Sequence, residues 1–253
     1  RESVKSEVDG RLSRYGFTLA DVLSIVPTGV EELDAVLFGG VVKGTSNLLL
    51  SEERRAKNDM LLLFAKEGQR LGEPVIFATS RIPSKELLKT IQRLSGKLEG
   101  LIVIDLYMAV HTENAVHLTV EEGPRIIIPA AILHLKQAIV KAVKKFPREM
   151  HKRVVLDVYT DLARYHELPE IHELIIKQVD GFRRWNCTSI ITLSPELSSE
   201  ELERHFDNVF RLRGAGTLEI KKLLGGEAKT KSVFIWERYP PMEEPGYSLF
   251  LDR

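Results

Sequence analysis

The chain of 253 residues carries 36 basic and 36 acidic side chains, so its formal net charge is zero. That balance argues against strong, sequence-blind attraction of the whole molecule to nucleic acid or to an anionic membrane surface. With 43% apolar and 28% charged residues, the composition is that of a chain able to bury a core, and the length suits one α/β domain better than two with a linker.

Residues 1–23 read as a short helical appendage, with Leu12 and Tyr15 ahead of a turn at Gly16, and 24–253 as the domain proper. The polar Arg1–Arg14 stretch has no secretory apolar region. Ser46–Leu50 is a first strand. Lys57–Leu71 spaces Met60, Leu61, Phe64, Ala65, Gly68 and Leu71 as a helix. Pro74–Thr79 is a second strand, and Ser84–Leu94 a helix with Ser84 as its expected N-cap. Leu101–Leu106 is a third strand, followed by an irregular or hairpin-like insertion at His111–Glu122. Pro129–Phe146 is a long helix, Arg153–Val158 a fourth strand, Pro169–Trp185 a helix, Thr188–Leu193 a fifth strand and Glu200–His205 a short helix.

This alternation predicts a mostly parallel sheet covered by helices. After about Phe206 the pattern changes to close-spaced strands at Asn208–Leu212, Thr217–Leu223, Ser232–Trp236 and Tyr247–Leu251, separated by glycine and proline turns. They read as antiparallel hairpins closing the sheet edge. No internal repeat and no stretch of about 18 apolar residues, as a membrane helix needs, is present.

Chemistry-bearing residues are sparse. A lone cysteine, Cys187, excludes an intramolecular disulfide and a cysteine zinc site, and suits a reducing, cytoplasmic location; its surroundings predict burial. His111, His117 and His134 lack metal-ligand spacing, and His151, His166 and His172 are scattered among charges, so no metal site is expected. Arg211–Arg238 has a modest basic excess, read as a solvated face.

The segment Thr28-Gly29-Val-Glu-Glu-Leu33-Asp34-Ala-Val-Leu37-Phe-Gly39-Gly40-Val-Val-Lys-Gly44 resembles the lead-in to the phosphate-binding loop in the RecA/RadA/KaiC superfamily, in its archaeal KaiC-domain form. Val154-Val-Leu-Asp157 looks like that family's Walker B strand, and Phe206–Leu212 like a further family strand. The likeness spans roughly Ile25 to Asp252 and implies a RecA-like P-loop NTPase fold.

A working P-loop reads GxxxxGK[ST]. Its glycines let successive N–H groups face a phosphate, while the Lys and the hydroxyl serve phosphate and Mg²⁺. The matching stretch here is Ser51-Glu52-Glu53-Arg54-Arg55-Ala56-Lys57-Asn58. Lys57 is kept, both glycines are replaced, and Asn58 stands at the Mg²⁺ position. Where the resemblance implies a water-activating Glu after the second strand, the chain has Thr79-Ser80-Arg81-Ile82-Pro83. Where it implies Lys-Met-Arg reaching a neighbouring subunit, the chain has Lys222-Leu223-Leu224.

The resemblance therefore implies an inactivated ATPase domain serving as a regulatory or signal-transduction binding module, with no catalytic residue and no certain cofactor. Lys57, Asn58 and Asp157 are the residual nucleotide site, with ATP and Mg²⁺ as its ligands if it retains any. Asp157 has a second reading, as a hydrogen-bond partner of loop backbone. Two alternatives stand beside this one: a nucleotide-binding switch with little or no hydrolysis, and a DNA-recombination accessory of the RadA-paralogue type. The expected partner is a protein, either a second copy or an active KaiC/RecA-like paralogue. Nucleic acid and membrane are not expected partners.

Overall fold

A computed structural model describes residues 24–111, 117–214 and 217–224, and the backbone of 226–234. The expected appendage at 1–23 and the expected strand Tyr247–Leu251 lie outside the described residues.

The chain order is β1 (Ile25–Val26), α1 (Glu31–Val36), β2 (Val41–Val42), β3 (Ser46–Ser51), α2 (Arg54–Leu71), β4 (Val75–Thr79), α3 (Ser84–Ser95) and β5 (Leu101–Asp105). Then come α4 (Tyr107–His111), β6 (Val120–Glu122), β7 (Arg125–Ile127), α5 (Ile132–Lys144), β8 (Lys152–Asp157), α6 (Tyr159–Leu162), α7 (Leu168–Arg184) and β9 (Cys187–Leu193). The described part ends with α8 (Glu200–Arg204), β10 (Asn208–Arg213), β11 (Thr217–Leu223) and β12 (Gly226–Phe234).

Ten strands form one sheet in the order β12-β11-β10-β3-β9-β8-β4-β5-β7-β6. From β10 through β7 every neighbouring pair is parallel, while β11, β12 and β6 add antiparallel edges. The central strands are buried along their whole length, and β4 and β5 accordingly read as continuous apolar runs rather than alternating ones. Their side chains still alternate between two cores. Leu48, Leu50, Val154 and Leu156 face α5 and α7, whereas Leu49, Phe77 and Val155 face α1, α2 and α3.

Several expected boundaries move for identifiable reasons. The expected C-terminal hairpins are present, β10 pairing antiparallel with β11 and β11 with β12, while the other edge of β10 lies parallel to β3, pairing Asn208 with Asn47 and Leu212 with Ser51. Residues 232–234 of the expected strand Ser232–Trp236 end a longer β12 that starts at Gly226, so its glycine belongs to the strand, and 235–236 lie outside the described residues. Ser84 is not an N-cap. Pro83 occupies that position, and the Ser84 amide donates instead to Asp105 Oδ2 at 3.0 Å. The helix expected from Pro129 begins at Ile132, because Ala131 is extended. Part of the expected insertion is a hairpin, β6 against β7, and 112–116 lie outside the described residues.

At the N-terminal end of β8, two adjacent cations are fully buried. Lys152 Nζ donates to carbonyls including Met150 at 2.6 Å and Pro147 at 2.7 Å. Arg153 donates through Nε to Glu73 Oε2 at 2.6 Å and through Nη1 to the Pro27 carbonyl at 2.6 Å, with the Phe64 ring 4.6 Å away. His151 bridges the other Glu73 oxygen at 2.7 Å and Thr188 Oγ1 at 2.8 Å. Thr188 Oγ1 also accepts from the Gly44 amide at 2.9 Å. This polar network ties the β1–β2 lead-in to α2, β8 and β9.

Candidate functional site

The site is built at the opposite end, where β3, β9, β8 and β4 finish. The lead-in packs against α2, the helix that carries Lys57. Asp34 Oδ1 accepts from the Thr28 amide at 2.8 Å and from Thr28 Oγ1 at 2.7 Å, and its Oδ2 accepts from the Gly29 amide at 3.1 Å. Gly29 has φ +83, and a β-carbon there would stand 2.7 Å from the Leu63 carbonyl oxygen. The Thr-Gly and Leu-Asp spacing is thus a clamp, with Leu33 as its buried anchor on α1. Burial raises the Asp34 carboxyl above its usual value despite these hydrogen bonds.

Between β3 and α2 the chain has only Glu52 and Glu53. The Ser51 hydroxyl donates to the Glu53 carbonyl at 2.8 Å. The Glu53 carboxylate then accepts from the Arg55 amide at 3.1 Å and the Ala56 amide at 2.5 Å. Those amides carry the positive end of the helix dipole. With a carboxylate as cap and no glycine to hold the chain open, α2 starts at Arg54 rather than at Lys57. Sequence reasoning placed Glu53 in the loop without finding this role. Glutamate is not among the favoured capping residues, so no capping signal in the sequence marks it.

Lys57 and Asp157, both expected at the site, are brought together. Lys57 Nζ lies 2.7 Å from Asp157 Oδ1, with the two side chains 10% and 5% exposed. Thr192 Oγ1 on β9 donates to the same oxygen at 2.5 Å. Asn58 is half-buried next in the helix. Among the described residues, no side-chain hydrogen bond joins Asn58 to this pair. Asp157 also anchors the neighbouring strand end, since its carbonyl accepts from the Ser80 amide at 3.1 Å.

The end of β4 is closed in a similar way. Thr79 Oγ1 accepts from the amides of Arg81 and Ile82, both at 3.1 Å. Arg81 Nε stands 2.7 Å from Asp161 Oδ2, and Ser80 Oγ donates to that oxygen at 2.6 Å. Asp161, four residues after Asp157 on α6, is 1% exposed, and no sequence motif marks it. Lys222 on β11 points its ammonium at the carbonyls of Phe206 at 2.5 Å and Arg204 at 3.1 Å, closing the C-terminal end of α8.

A cleft of about 420 Å³ lies beside the loop, lined by Glu52, Glu53, Pro195 and Arg211–Gly214. Among the described residues no group of three or more His, Cys, Asp and Glu stands ready to hold a metal. His134 bonds Thr119, His166 the Ala130 carbonyl and His172 the Leu197 carbonyl, each within 3.3 Å. No described helix is long and apolar enough to cross a membrane.

The parallel sheet, the β3–α2 loop at the end of its strand and the Asp-terminated β8 define a RecA-like P-loop NTPase fold. The family model "ATPase: KaiC" matches residues 26–237, and the chain belongs to that family. Among solved structures, the KaiC-like protein PH0186 from the hyperthermophilic archaeon Pyrococcus horikoshii OT3 is similar in fold. It is 21% identical with a TM-score of 0.59, and the match covers 82% of this chain and 92% of that one. A search of curated proteins finds no match.

Proposed function

We propose that this KaiC-family domain no longer turns over ATP and acts as a regulatory module that binds a protein partner, either a second copy of itself or an active relative. One observation carries the reading: the Glu53 carboxylate accepts the amide hydrogens at the start of α2, where a phosphate would otherwise sit.

The residues at the loop do not fit a Mg²⁺-bound triphosphate. An approaching phosphate meets the Glu53 carboxylate, Ala56 places a β-carbon where the loop needs glycine, and Lys57 is held by Asp157. Where the family has its water-activating Glu, this chain has the hydroxyl of Ser80 and the cation of Arg81, both engaged with Asp161. Lys222 is likewise engaged with carbonyls.

Calorimetric titration with ATP and Mg²⁺, run alongside a phosphate-release assay, tests the proposal. No heat of binding and no released phosphate are expected. Phosphate release by the unmodified protein would overturn the reading, and binding without release would turn it into the nucleotide-switch reading. That alternative draws support from the cleft beside the loop, which Arg211 and Arg213 help to line. Replacing Ser51, Glu53, Arg54 and Ala56 with Gly, together with Asn58→Thr, should recover nucleotide binding without hydrolysis.

A further inference from the structure

The zero net charge of the chain conceals an uneven distribution over its helices. On α2, α3 and α7, outward cations are met by acids one turn away, as in Arg70 with Glu67, Lys89 with Glu86, and Lys177 with Glu173. Helix α5, with the sequence ILHLKQAIVKAVK, has no acid at all. Its inward side, Leu135, Ala138, Ile139, Ala142 and Val143, packs into the core. Its outward side presents Leu133, Lys136, Gln137, Val140, Lys141 and Lys144.

Only Lys141 has an ion-pair partner among the described residues, Glu121 on β6. Lys136 acts on Glu173 of α7 from a distance, adding to the larger effect of Lys177 in holding that carboxyl low. Lys144, followed by exposed Lys145, extends the basic run to the C-terminal end of the helix. Between these cations Leu133 is 60% exposed and Val140 44%. One heptad separates them, roughly 10 Å along the helix and on one stripe. A lone exposed aliphatic side chain is ordinary. Two on one stripe, flanked by cations that have no acid on their own helix, form a surface complementary to a particular kind of ligand.

We propose that the outward face of α5 docks an acidic amphipathic helix of a partner protein, its aliphatic residues a heptad apart over Leu133 and Val140 and its carboxylates against Lys136, Lys141 and Lys144. Charge complementarity selects this occupant, and the apolar stripe distinguishes it from a polyphosphate. Nucleic acid would leave Leu133 and Val140 uncovered. The inference shares with the proposed function only the existence of a protein partner. It is independent of whether the loop binds nucleotide.

The test is a nitrogen-15 NMR titration of the full chain, without nucleotide, using a synthetic helical peptide with two leucines one heptad apart flanked by glutamates. Saturable shifts confined to α5 and its neighbours are expected, weakening as salt is raised. Leu133→Glu with Val140→Glu, and separately Lys136→Glu with Lys144→Glu, should each weaken binding by about tenfold or more. All four positions are exposed, and circular dichroism checks that the variants stay folded. Replacing the peptide's glutamates with glutamine should abolish binding. Absence of α5 shifts, undiminished affinity in both variants, or tighter binding to oligothymidylate or phosphatidylserine vesicles than to the peptide would overturn the proposal.

Discussion

Lys57 Nζ on α2 and Asp157 Oδ1 on β8 are 2.7 Å apart and almost closed to solvent. A nucleotide-bound P-loop uses this lysine on phosphate and this aspartate on the metal side. Here each is the other's counter-ion. Removing one partner strands a buried charge, so Lys57→Met or Asp157→Asn should each cost about 3–5 kcal/mol. The double variant Lys57→Met with Asp157→Leu should recover most of that loss. Urea unfolding of the three variants measures this, and single variants as stable as the parent would refute the direct pairing.

A second prediction concerns acid stability. Burial works against the Glu73 charge, yet the hydrogen bond from His151 and the charge and hydrogen bond of Arg153 outweigh it and hold the carboxyl below its ordinary 4.5. A lowered folded value means the unfolded chain binds the proton more readily. The stabilisation is therefore complete above the unfolded value and disappears as pH falls through the folded one. Unfolding midpoints of the parent and Glu73→Gln should differ most near neutrality and converge in acid.

Burial pushes the Cys187 thiol up to about 12. The thiolate is the reactive form, so a disulfide reagent at pH 8 should leave the folded protein unmodified. Labelling should appear only with global unfolding, and fast labelling under native conditions would contradict the buried setting.

Gly29→Ala tests the lead-in clamp. The left-handed backbone costs an ordinary residue roughly 1–2 kcal/mol, and the added β-carbon would meet the Leu63 carbonyl. The melting temperature should fall, and Gly44→Ala, where a β-carbon has open space, should cost less.

Much of the fold was legible because central strands and helices leave strong signatures. Runs such as Val75–Thr79 and Leu101–Asp105 are apolar up to their last residue, and α5 and α7 repeat at the helical period. The antiparallel pairing of β10 with β11 was legible from their close spacing, whereas a short apolar run does not encode its second neighbour. Only its crossover through α8 sets it parallel to β3. At the site, Lys57 and Asp157 could be located from their motifs, but their direct contact joins residues 100 positions apart. Asp161 and Arg81 were opaque for the same reason. Glu53 was equally opaque, since glutamate is not a favoured capping residue and its role rests on the local backbone geometry.

Arg153 has a consequence for how the molecule comes apart. Its guanidinium is stoppered by the Pro27 carbonyl from the lead-in and by Glu73 from the turn after α2. Peeling the Ile25–Val26 edge away would uncork a cation in the middle of the protein, so this end cannot fray gradually like a free terminus. Its opening is coupled to the integrity of β8. Amide hydrogens of 25–45 should accordingly exchange on the slow timescale of the central sheet rather than on that of a loose edge.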